Sequence, residues 1–144
     1  MLWPGNATRA GLKPMYRAVT ESIEVTVEPE YAPERSRPEI GEFFWVYAVE
    51  IRNLSDDTVQ LRARHWEITD GGGRTEHVRG LGVVGEQPIL KPGEIFRYSS
   101  GCPLASGHGI MVGSYEMVAA DGRRFEVAIP AFSLDAPFAP RTVN

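Results

Sequence analysis

The residues of this 144-residue chain whose types and spacing suit them to chemistry are few, and glycines come first. Gly80-Leu81-Gly82-Val83-Val84-Gly85 matches G-x-G-x-x-G, in which glycines let backbone approach a pyrophosphate and a helix N-terminus holds it. That chemistry needs a strand before the motif, a helix opening at its last glycine, and an acidic residue about 20 positions on. A strand-like run does precede. Beyond Gly85 the chain reads Glu86-Gln87-Pro88-Ile89-Leu90-Lys91-Pro92-Gly93, and Pro92-Gly93 closes any helix at once. The segment Cys102–Ser106, at the distance where the acidic residue belongs, holds no carboxylate, and the Gly-Lys-Ser/Thr of a P-loop is missing. Two readings stay open. The glycines serve a sharp sheet-to-sheet crossing that needs positive φ, or Gly80, Gly82, Val83, Val84 and Gly85 form a backbone nest for an anion or pyrophosphate without a helix.

Other candidates are weaker. His65, His77 and His108 have neither H-x-x-x-H spacing nor cysteine pairs, so no metal site is predicted from spacing; folding alone could assemble one from His77, His108 or nearby carboxylates. Cys102 lacks a nucleophile signature and reads as a small buried thiol, with a Cys102–His108 pair within one loop as the alternative. There is no G-x-S-x-G. Asp56-Asp57 lies in a turn and reads as solvated, while Arg62, Arg64, Arg79 and Arg97 are either a modest basic patch or charges on exposed strand faces. No catalytic set emerges, so the chain is expected to be no enzyme and to need no cofactor.

The elements that would position these residues are legible from composition and period. Net charge −4 and a pI near 5.4 argue against nucleic acid as a partner. With 42% hydrophobic and 24% charged residues the chain can bury a core, and its length suits one domain. A single cysteine excludes an internal disulfide. No apolar stretch reaches the roughly 18 residues of a membrane span, and the N-terminus lacks a signal-peptide core. These features predict a soluble, cytoplasmic protein. Residues 1–14 read as a flexible arm ahead of a single domain over 15–144, with Met15 an alternative start to Met1.

Fifteen Gly and eleven Pro punctuate the chain at short intervals, as an all-β protein requires. Ile23, Val25 and Val27 alternate with polar residues, predicting a strand over Ser22–Glu28 that Pro29 and Pro33 end, succeeded by a surface loop to Glu42. Phe43–Ile51 is the central strand. Its second face opens with Phe44, Val46 and Ala48, to be covered by another strand or left as an apolar partner site. In Val59–Asp70 the apolar parity changes between Val59, Leu61, Ala63 and Trp66, Ile68, which predicts a β-bulge near Arg64–His65. Asp70-Gly71-Gly72-Gly73 is a hairpin turn and Arg74–Arg79 a polar edge strand. Pro88–Gly93 is a turn, Glu94–Ser99 a strand and Gly101–Gly109 a loop. Ile110–Val118 is a strand with Met111, Gly113, Tyr115 and Met117 on one face. A hairpin at Asp121-Gly122 leads into Arg124–Ala131, with Phe125, Val127 and Ile129 inward and Phe138 pinning the tail. Seven strands at this spacing, with no 3.6 period, predict a two-sheet β-sandwich of immunoglobulin or fibronectin type, with Trp45 and Trp66 as its inter-sheet pair.

Several runs carry a resemblance: Arg64-His65-Trp66-Glu67-Ile68-Thr69-Asp70, Val78 through Pro88, Leu90-Lys91-Pro92-Gly93-Glu94, Ser99 through Leu104, and Met111, Gly113, Ser114, Tyr115 and Met117. In that order, over about residues 16–142, the chain resembles the bacterial ApaG proteins; the Val83-Val84-Gly85-Glu86-Gln87-Pro88 run is the most specific. The resemblance implies a fibronectin type III-like sandwich. The same domain recurs in eukaryotic F-box proteins and in a polymerase-interacting protein, which implies a protein-interaction or ligand-binding module. The family is often labelled with Co2+/Mg2+ efflux or tolerance, and its name travels with a diadenosine-tetraphosphate hydrolase neighbourhood; neither label supplies a catalytic residue. A chain without a membrane span is at most an assistant to efflux. The expected function is a non-enzymatic module with a protein partner, a homodimer being left open. The alternatives are a pyrophosphate-containing nucleotide on the Gly80–Gly85 loop and a bound divalent cation.

Overall fold

The computed structural model describes residues 14–137. The arm predicted over 1–14, Pro14 excepted, and Phe138 lie outside them. Among the described residues nine strands succeed one another: β1 (Tyr16–Thr20), β2 (Ile23–Tyr31), β3 (Phe43–Asn53), β4 (Val59–Asp70), β5 (Thr75–Leu81), β6 (Ile89–Leu90), β7 (Ile95–Leu104), β8 (His108–Ala119) and β9 (Arg124–Asp135). They form two antiparallel sheets, β1-β2-β3-β7 and β5-β4-β8-β9, with the short β6 also on β4. This is the predicted all-β, two-sheet sandwich. Among the described residues no helix is long and apolar enough to cross a membrane.

Period-2 burial builds the core. Ile23, Val25 and Val27 of β2 and Trp45, Tyr47, Val49 and Ile51 of β3 turn inward. They meet Leu61, Trp66, Met111, Tyr115, Met117, Val127, Ile129 and Phe132 of the second sheet. The ring that meets Trp66 across the sandwich is Tyr47, edge-on at 5.5 Å, with Phe132 packed against both. Trp45 is buried too, but it packs on Tyr31 and Phe43 of its own sheet, and its indole N–H donates to the Asp135 carbonyl at 3.3 Å.

Several boundaries depart from the sequence reading for local reasons. β2 runs through Pro29 because β1 pairs it only as far as Val27, leaving the proline nitrogen at an unpaired edge. β7 continues through Gly101-Cys102-Pro103-Leu104, which were read as loop; as the outer strand of its sheet it tolerates Pro103, and Cys102 lies inward opposite Trp45. β9 continues past Ala131 because a register shift near Pro130 returns Phe132 and Leu134 to the core. The bulge in β4 exists, but at Arg62, between Leu61 and Ala63, and Ala63 is consequently not a core residue. No strand lies over the second face of β3 among the described residues. Arg35, from a 3-10 turn over Pro33–Arg35, instead places its guanidinium 4.0 Å from the Phe44 ring centre, and Ala48 is exposed. Farther along that face, ion pairs link Arg17 to Glu24, Arg52 to Glu24 and Arg97 to Glu50, stepping across all four strands.

The two long margins of the sandwich differ. On one, β1 and β9 meet: the Ala128 N–H donates to Thr20 Oγ1 at 3.1 Å and Arg123 pairs with Glu21 at 2.8 Å. The other, between β5 and β7, is open. At its lower end Asn53 ties the sheets together. It is fully buried, its amide donates to the carbonyls of Asp57 (2.7 Å) and Leu90 (2.9 Å), and its oxygen accepts from Ser55. Its backbone holds the Lys91–Glu94 turn that carries the chain from β6 across to β7. Asn53→Ala would orphan buried carbonyls and is expected to lower unfolding free energy by about 2–3 kcal/mol, read as a reduced urea midpoint at unchanged slope.

Candidate functional site

The open margin gathers most of the residues singled out in the sequence. The glycine run leaves β5 at Leu81 and returns at β6, and both strands pair with β4, so the run is an excursion on one sheet edge. It is not the predicted sheet-to-sheet crossing, which occurs at Lys91–Glu94. The loop departs where β4 bulges. The Arg62 carbonyl accepts from the Gly82 N–H at 2.9 Å and from the Gln87 side-chain amide at 2.9 Å, and the Pro88 carbonyl accepts from Leu61 at 3.0 Å.

Between these anchors lies a tight turn. Val83 and Glu86 exchange both backbone hydrogen bonds at 2.8 Å, and the central residues Val84 and Gly85 have φ of 41° and 82°. Two successive positive φ values mark a type I′ turn. Positive φ at Gly82 (63°) and Gly85 (82°) agrees with the expectation, whereas Gly80 is an extended residue of β5, and a Cβ on Gly82 would lie 2.3 Å from the Glu86 carbonyl oxygen. Positive φ at a β-branched valine stores strain of about 1–3 kcal/mol. A nest needs free successive amides, and those of Gly82 and Val83 already donate within the protein. Arg64 completes the support: its guanidinium lies over Gly80 and donates to the carbonyls of Leu81 (3.0 Å) and Gly82 (2.8 Å).

Val83, Val84 and Arg64 form one end of a cleft of about 350 Å³ between the sheet edges, floored by Tyr47, Trp66 and Met111 and walled by Tyr98, Ser100 and Cys102 of β7. Burial and then the Glu76 carboxylate push the Cys102 thiol up to about 11, so it stays protonated at neutral pH. His108, named beside Cys102 in the sequence reading, faces Asp135 at 3.1 Å instead. Burial also raises the Tyr98, Tyr115 and Tyr47 phenols, and the first two share a 2.5 Å O···O hydrogen bond. Of the four arginines named for a basic patch, Arg97 is drawn away into the ion-pair ladder of the first sheet, Arg62 bonds Gln60, Arg64 serves the loop, and Arg64 and Arg79 line one surface depression.

Outside the cleft, on the solvent face of the second sheet, His65, Glu67 and His77 come together. One ligand atom from each lies within 4.8 Å of the others, and His65 Nε2 and His77 Nδ1 are 3.0 Å apart. Of the histidines named for a cation, His77 thus has companions, and His108 belongs to a different cluster. The signal was present in His65-x-Glu67, an i, i+2 pair on one strand face, and in the hairpin that returns His77 opposite Glu67.

This geometry sets three expected outcomes. Gly82→Ala is expected to lose about 2 kcal/mol or more, since both its φ and its contact with Glu86 oppose a side chain; an unchanged thermal midpoint would contradict that role. Native Cys102 is expected to resist iodoacetamide at pH 7.5 and to react promptly in urea. The three phenols are raised above the unfolded value of about 10, so their contribution is intact below that pH and lost as pH rises beyond it; urea midpoints are expected to fall above pH ~10.

The ApaG domain model matches residues 33–119, from the first 3-10 turn to the end of β8. The chain is 60% identical over 130 residues to Protein ApaG of Methylocella silvestris, covering 90% of this chain and 100% of that one. Against Protein ApaG of Beijerinckia indica it is 58% identical with the same coverage. The crystal structure of the putative ApaA protein from Bordetella pertussis superposes with a TM-score of 0.79 at 47% identity, covering 81% of this chain and 95% of that one. By this family model and these relatives, and with the two-sheet sandwich expected from the sequence, the chain belongs to the ApaG domain family.

Proposed function

We propose that this chain is a non-enzymatic binding module that takes a partner protein along its open margin. The reading is carried by a coincidence of free strand edge and apolar exposure. β5 is an outer strand with unpaired backbone groups along one side. At and past its end Leu81 is 77%, Val84 55% and Ile89 60% exposed, and Val84 lines the cleft with the aromatic floor. An extended partner segment adding to such an edge gains main-chain hydrogen bonds, and a side chain in the cleft supplies selectivity. The positive-φ valine fits this use, because strain retained at an exposed turn points to a role for its side chain there. By contrast, the ion-pair ladder keeps one end of the opposite sheet's outer face solvated.

The Co2+/Mg2+ association that the resemblance implies fits a module acting through a partner. The pyrophosphate reading is the less favoured one, since the amides of Gly82 and Val83 donate internally and Arg64 donates to the loop's own carbonyls.

Photocrosslinking tests the proposal. A crosslinking residue at Leu81 or Ile89, expressed in the native cell, is expected to trap the same partner band, and one at Glu28 on the outer face of β2, in the opposite sheet, to trap none. Adding Val84→Asp to the Leu81 probe is expected to reduce that band at least 5-fold. Equal labelling from all three positions, or no reproducible band, would overturn the margin as the docking site.

A further inference from the structure

The cluster of His65, Glu67 and His77 lies on the wet face of β4 and β5, apart from the cleft. We propose that it is a binding site for a first-row divalent transition ion of the Zn2+, Ni2+ or Co2+ type, and that it does not select Mg2+.

The geometry is the first argument. Glu67 and His77 are directly paired across the two strands, and His65 stands two residues before Glu67, so all three side chains project from one face. His65 Nε2 and His77 Nδ1 are 3.0 Å apart, and the two rings lie nearly parallel, 20° between planes and 5.3 Å between centres. Two imidazole nitrogens each about 2.0–2.1 Å from one ion are separated by roughly 3.0–3.4 Å at angles from about 95° to tetrahedral. The observed pair sits at the short end of that span with no change of backbone, and a ligand oxygen of Glu67 is within the 4.8 Å that encloses the set. In the metal-free protein the same nitrogens share a proton as a hydrogen bond. The ion replaces that proton, so affinity falls as pH is lowered.

Ligand type fixes the class of ion. Two imidazoles and one carboxylate suit Zn2+, Co2+ or Ni2+, whereas Mg2+ prefers an all-oxygen shell and keeps most of its waters. Three protein donors leave at least one coordination position open. His65 is half-buried and His77 exposed, so that position faces solvent and accepts water or a donor from another molecule. The surroundings moderate affinity. Arg79 is paired opposite His65 and places positive charge beside the ion, while Ser114 flanks His65 on the other side. Binding also links β4 to the outer strand β5, whose other anchors are its ladder hydrogen bonds, the Thr69–Thr75 hydroxyl contact and the Arg64 clasp.

Calorimetric titration of the full chain with ZnCl2, NiCl2, CoCl2 and MgCl2 tests this, together with 15N-edited spectra of the imidazoles. The expected result is one-site binding of Zn2+ and Ni2+, at least 100-fold weaker response to Mg2+, and perturbation of the His65 and His77 ring nitrogens with those of His108 unmoved. His77→Ala and His65→Ala are each expected to weaken Zn2+ at least 10-fold, and Glu67→Gln several-fold, with circular dichroism unchanged because these side chains lie on the solvent face. Binding that survives both histidine substitutions, perturbation centred on His108 and Asp135, or Mg2+ binding as tight as Zn2+ would overturn the proposal.

Discussion

Much of the open margin depends on one acceptor, the backbone carbonyl of Arg62. Arg62 is the extra residue of the β4 bulge, and its carbonyl takes both the Gly82 N–H and the Gln87 side chain. The bulge and the glycine loop are therefore one feature. The unpaired residue in β4 leaves an acceptor at the sheet edge, and the chain from β5 to β6 swings out around it instead of pairing straight through. That excursion puts Val83 over the core, where it is 1% exposed, and Val84 at the rim, where it is 55% exposed. The same bulge changes β4 parity, so that Arg64, Trp66 and Ile68 line the cleft while His65 and Glu67 face solvent. One irregular residue sets both the proposed binding margin and the candidate metal face.

The margin is open because of how the other elements close. β1 seals against β9, and Asn53 pins the crossing of β6 into β7 at the lower end. Between them the sandwich is held along one side and at one end, so β5 and β7 flank a cleft without pairing to each other. Such an arrangement keeps a rigid scaffold behind a free edge, which is what main-chain recognition requires. Besides Arg64 and Glu76, the titratable side chains of the cleft are the Tyr47 and Tyr98 phenols and the Cys102 thiol, which burial holds neutral and suits to packing and hydrogen bonding.

Residues whose role is set by period were legible in the sequence. Ile23, Val25, Val27, Trp45, Tyr47, Tyr115 and Met117 alternate cleanly, and each is buried. The parity change in β4 announced a bulge, but its position was misplaced to Arg64–His65 because Ala63 is small enough to read as a core residue. Cys102 was assigned to a loop because glycine and proline flank it; edge position, invisible in one strand's sequence, is what admits Pro103. The Gly80–Gly85 run showed its need for positive φ but not its place, since a loop along one edge and a crossing between sheets demand the same residues. The His65–Glu67–His77 set was hidden for a related reason. Two of its members are adjacent on a strand face, and the third joins only through hairpin register, which the turn at Asp70–Gly73 fixes.

The Gly82–Gly85 turn shapes the sheet edge beside the proposed binding margin, with the amides of Gly82 and Val83 already donating within the protein. An amide-resolved NMR titration with ATP, diadenosine tetraphosphate and inorganic pyrophosphate at millimolar concentration tests that role most directly. An edge-shaping turn predicts that the Gly82, Val83, Val84 and Gly85 amides stay in place. Saturable shifts at those amides, shared by all three ligands, would contradict it.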